Sequence, residues 1–85
     1  MTSVKDLEKQ AKKAAKNVEL TQKLIRDLQV QTSVTLDDDL AQRLQMKIAR
    51  FTYRLNQEKD ALAQSESRLR QVRSDFQRFV ETNTP

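Results

Sequence analysis

Between Ala41 and Phe79 the chain repeats at alternating steps of three and four residues: Ala41, Leu44, Ile48, Phe51, Leu55, Glu58, Leu62, Ser65, Leu69, Val72, Phe76, Phe79. Ten of these twelve positions are apolar, and neither Gly nor Pro interrupts them. A seven-residue period of this kind describes a helix with one apolar seam, which needs a second helix to cover it. The rest of the composition points the same way. The 85-residue chain has no Gly, and its single Pro is the last residue. Tight turns and catalytic loops use Gly for positive φ, so long helices with few connections are predicted.

The covering helix precedes the seam. Ser3-Val4-Lys5-Asp6 has the S-x-x-D form of a helix start, with a hydroxyl to accept from a free N–H and a carboxylate at the positive end of the dipole. Val4, Leu7, Ala11, Ala14, Val18, Thr21, Ile25 and Leu28 then keep the same spacing. Helix 1 is predicted over about residues 4–31. The run from Val30 to Thr35 is dense in β-branched and hydroxyl residues, which weaken a helix. The connection is therefore set at about 32–36. Thr35-Leu36-Asp37-Asp38 is a second capping pattern, and Asp39 adds a third acid. Capping accounts for these carboxylates, because the central Gly of an EF-hand loop is missing. Helix 2 follows over about 37–81, with Thr82 to Pro85 as a frayed tail.

The fold class expected is all-α: a single domain over 1–85, folded as a two-helix antiparallel coiled-coil hairpin with a longer second helix. Folding the chain near residue 34 sets residue i opposite roughly residue 69 − i. Ala14 then faces Leu55, Ala11 faces Glu58, Thr21 faces Ile48 and Leu28 faces Ala41. Glu58 is expected to reach out of the seam toward Lys9, Lys12 or Lys13 rather than stay buried without a partner. In this register helix 1 ends near residue 66 of helix 2. Leu69, Val72, Phe76, Phe79 and Val80 are left with nothing opposite them.

Catalysis has little to draw on. Cys and His are both absent, which removes thiolate chemistry, the commonest general base and the commonest metal ligand. The expectation is no enzyme, no catalytic residue, no cofactor and no metal. Cytoplasmic localisation is the default, from the lack of Cys, of a signal-peptide pattern and of a bilayer-length apolar run. The net charge of +4 permits an acidic partner without demanding one.

A partner protein is the expected ligand. The candidate contact residues are Leu69, Val72, Arg73, Phe76, Phe79 and Val80, meeting a helix with an acidic rim or a second copy of this chain. Met46, Tyr53 and Arg54 are secondary candidates, Met46, Ala49 and Tyr53 being aligned on an outer face of helix 2. Lys47, Arg54, Lys59, Arg68 and Arg73 flank the helix 2 seam, while helix 1 offers mainly amides there, with Glu8 the exception. Lys9, Lys12 and Lys16 are the candidates for anion binding. Glu8 and Glu19 interrupt the lysine face and no aromatic lies within it, which disfavours nucleic acid. A membrane is disfavoured because helix 2 needs the apolar side of helix 1.

The expected function is thus a non-enzymatic protein–protein interaction module: an adaptor, chaperone-like or assembly subunit. The alternatives are a small-GTPase effector-type coiled-coil domain and a basic nucleic-acid or anionic-membrane binder. The architecture resembles the antiparallel coiled-coil domains of Rho-GTPase effector kinases, the N-terminal helical domains of SNAREs and small type III secretion chaperones. Leu7-Glu8-Lys9-Gln10 resembles the opening of the first of these. The Gly-Ala-Glu-Asn-type signature that should follow is absent, since Lys12 to Asn17 reads KKAAKN. The resemblance is one of shape, and no residue roles carry over.

Overall fold

The computed structural model describes residues 3–83 and shows two helices, α1 (Val4–Val34) and α2 (Asp38–Asn83), packed against each other as a hairpin. There is no strand among the described residues. The rod is 73 Å long and only 19 by 14 Å across, as expected when one helix lies along another.

Ser3 caps α1 as its pattern predicts. Its Oγ accepts from the Asp6 N–H at 3.2 Å and its carbonyl from the Leu7 N–H at 3.1 Å. At the other end the helix runs three residues further than expected, through Val34. The hydroxyls thought to break it bond backward instead. Thr32 Oγ1 donates to the Leu28 carbonyl at 2.8 Å, Ser33 Oγ to Val30 at 2.7 Å and Thr35 Oγ1 to Gln31. Back-bonds of this kind let hydroxyl side chains be accommodated in the last turns, and the one to Gln31 reaches one of the final four carbonyls of the helix.

The connection is Thr35 to Asp37, shorter and later than 32–36. Thr35 is extended, with φ −84° and ψ 126°. No described residue has positive φ, which is how the chain turns without glycine. The cap of α2 is Asp37 rather than Thr35. Asp37 Oδ1 accepts from the N–H groups of Asp39 at 3.0 Å and Leu40 at 3.4 Å, and its carbonyl accepts from Ala41 at 2.9 Å. α2 continues past residue 81 to Asn83. Of the tail expected over 82–85, Thr82 and Asn83 are therefore helical, and Thr84 and Pro85 lie outside the described residues.

The seam lies where the periodicity puts it. On α1, Leu7, Ala11, Ala14, Val18, Thr21, Ile25 and Leu28 are all partly or fully buried, whereas Val4 is exposed. On α2 the same holds for every seam position from Ala41 to Val72. It is a thin core. The buried apolar residues are Leu7, Ile25 and Leu44, with Thr21 the buried polar one at 2% exposure.

The register differs from the expected one. Thr21 meets Glu58, not Ile48, and Glu8 meets Arg73, a position expected to lie beyond the start of helix 1. Glu58 thus sits ten residues further along α1 than Ala11. Two causes act together. The turn comes later in sequence, and helical side chains lean toward their own N-terminus. In an antiparallel pair those leans are opposed, α1 side chains pointing away from the turn and α2 side chains toward it, so an α1 residue touches an α2 residue further from the turn than its own Cα level indicates.

Candidate partner-binding surfaces

The register decides which candidate contact residues are covered within the hairpin and which are exposed. Leu69 and Val72 are partly buried, so they belong to the intramolecular seam and are not left unmatched. The Arg73 guanidinium donates to Glu8 Oε1 at 3.1 Å, tying α2 to the first turns of α1. Both side chains are well exposed, at 60% and 42%, so screening limits this pair to about 1 kcal/mol at most. Beyond Arg73 the helix opens to solvent. Phe76 is 67% exposed, Phe79 65% and Val80 45%. The six proposed contact residues therefore divide into a covered half and an exposed half.

Glu58 also departs from expectation. It stays in the seam, accepting on Oε1 from Thr21 Oγ1 at 2.6 Å and from Arg54 Nε at 3.1 Å, and it does not reach Lys9, Lys12 or Lys13. Its Oε2 is buried without a hydrogen-bond partner. Arg54, a secondary contact candidate read as unmatched, is thus held by an acid one turn along its own helix. Lys9, Lys12 and Lys16 are exposed, as are Met46, Ala49 and Tyr53. Among the described residues no group of three or more acidic side chains is placed to hold a metal ion, and none of the helices is long and apolar enough to cross a membrane.

Two features escaped the sequence patterns. The first is the turn end, where Val30, Val34, Leu36 and Leu40 are exposed and Leu36 is at 99%. The second is a trough of about 470 Å³ along one side of the hairpin. Leu24 and Leu28 from α1 and Phe51 from α2 form its apolar lining, and Lys47, Arg50 and Arg54 line it from α2. A smaller hollow of about 240 Å³ adjoins it on α2, between Arg43, Met46, Lys47 and Arg50. Arg43, Lys47, Arg50 and Arg54 form a single stripe at steps of four, three and four, and no acid occurs from Leu40 to Gln57. That spacing and that gap in acids were legible signals. The apolar lining was not, because Leu24 lies one step off the seam and only the pairing of both helices brings it beside Phe51.

The chain matches no family model, no curated protein and no solved structure. What it does must be argued from these surfaces.

Proposed function

We propose that the hairpin is a non-enzymatic protein–protein interaction module, an adaptor, chaperone-like or assembly subunit that takes a partner helix on the terminal turns of α2. The observation that carries this is the exposure of Phe76 and Phe79, at 67% and 65%, three residues apart on one helix. Burying one such side chain contributes roughly 1.5–3 kcal/mol. Two of them with Val80 give a compact anchor of the kind found at the centre of helical interfaces. Arg78 lies within this segment, and Arg73 borders it while engaged by Glu8. A partner whose helix carries acids beside its apolar face complements that charge. Leu69 and Val72 support the anchor from within the seam.

The non-enzymatic part rests on side-chain inventory. With no His and no Cys, acid–base and nucleophilic chemistry would fall to exposed carboxylates, amines and hydroxyls.

The test is solution mass and partner capture for Phe76→Asp/Phe79→Asp beside wild type. Loss of association with the helical circular dichroism retained supports the proposal. Unchanged association means the anchor is idle, and global unfolding means it is core. Either result overturns it.

A further inference from the structure

The trough and the cationic stripe point to a second contact. We infer that the groove between Leu24, Leu28 and Phe51 is a docking site for an acidic amphipathic helix of another protein, laid along the hairpin as a third helix. The apolar lining supplies the area and Lys47, Arg50 and Arg54 supply the sign of charge.

Shape comes first. Two packed helices leave a long furrow on each side, and a third helix fills such a furrow with the ridge-and-groove fit of a small bundle. Leu24, in the lining, is 46% exposed, and Leu20, four residues before it on α1, is 51% exposed. A thin two-helix seam leaves these leucines half in water, and a third helix covers them. The stripe from Arg43 to Arg54 covers eleven steps of helix, about 16 Å, so the occupant needs about three helical turns.

Charge selects among occupants. Lys47 and Arg50 are exposed and α2 offers them no acid between Leu40 and Gln57. Arg54 gives its Nε to Glu58. On α1 the nearest acid in sequence to the lining is Asp27, between Leu24 and Leu28. The balance remains positive, and Glu or Asp beside the occupant's apolar face matches it. Nucleic acid would use the cations but not the apolar lining, and the aromatic there, Phe51, is a partly buried seam residue rather than an exposed platform for a base. A bilayer surface is flat on this scale and meets a furrow between two helices poorly. The site is separate from the Phe76 end and does not rest on it.

The test uses the full chain and a fluorescent synthetic peptide of about three heptads, with Leu on one face and Glu beside it. A twin peptide carries Lys in place of Glu. Wild type should bind the Glu peptide at least about tenfold more tightly than its twin. Lys47→Glu/Arg50→Glu, at two exposed positions, should reverse that preference with the melting curve unchanged. Phe76→Asp should bind the Glu peptide as wild type does. The inference is overturned if neither peptide binds, if both bind alike, or if the charge reversal leaves the preference intact. It is also overturned if Phe76→Asp abolishes binding, since the peptide then sits at the terminus. A duplex oligonucleotide or a phosphatidylserine vesicle that displaces the Glu peptide in a Lys47- and Arg50-dependent way, and binds more tightly than it, would mark a general anion surface and overturn it too.

Discussion

Thr21 donates its hydroxyl to Glu58 Oε1 across the seam at 2.6 Å, and this places the most buried polar side chain of α1 against the only acid in the α2 seam. Two polar groups in a core this thin are costly unless they meet. They do meet, and Arg54 adds a charged donor to the same oxygen. Slipping either helix by one heptad would leave Glu58 facing apolar side chains, so the pair selects one register much as a single polar seam residue does in a coiled coil.

Thr21→Val should therefore destabilise the hairpin by about 1.5–3 kcal/mol, the range for losing a hydrogen bond to a charged group. Thr21→Val/Glu58→Leu should recover that loss or exceed wild type. It removes a carboxylate whose Oε2 is buried without a partner and lets Arg54 return to solvent. Urea denaturation of the two singles and the double completes the cycle. An unchanged Thr21→Val midpoint would show that the hydroxyl is dispensable.

The register can be measured directly, because the chain has no cysteine of its own. A short thiol cross-linker should join Thr21→Cys/Glu58→Cys rapidly and Ala11→Cys/Glu58→Cys poorly. The two α1 sites are ten residues apart, about 15 Å along the helix. Efficient linkage of the second pair alone would restore the fold about residue 34.

Leu55 and Lys16 test the faces. Leu55 is partly buried in the seam, and Lys16 is exposed on α1. Leu55→Asp places an unpaired carboxylate in the contact and should unfold a hairpin whose helices depend on packing. Lys16→Glu should leave the melting temperature unchanged. Equal effects would mean that these faces are exchanged.

The two helices, the turn between 30 and 37 and the seam residues of both helices were legible in the sequence. Each depends on local features: a seven-residue period, a hydroxyl cap at Ser3, the absence of Gly and the absence of Pro before the last residue. The ends of the turn were less legible. The hydroxyls of Thr32, Ser33 and Thr35 can break a helix or finish it, and their back-bonds to α1 carbonyls finish it here. Register needed the tertiary structure. It follows from where the turn closes and from opposed side-chain leans, and both are properties of two helices together. The same is true of the surfaces. A sequence period shows that Leu69 and Val72 face a partner helix. Only the packed hairpin shows that the first turns of α1 already reach them, that Phe76 lies past that reach, and that Leu24 and Phe51 share a groove edged by Lys47 and Arg50. Periodicity assigns a residue to a face. Which residue lies opposite is decided by long-range contacts that no local pattern encodes.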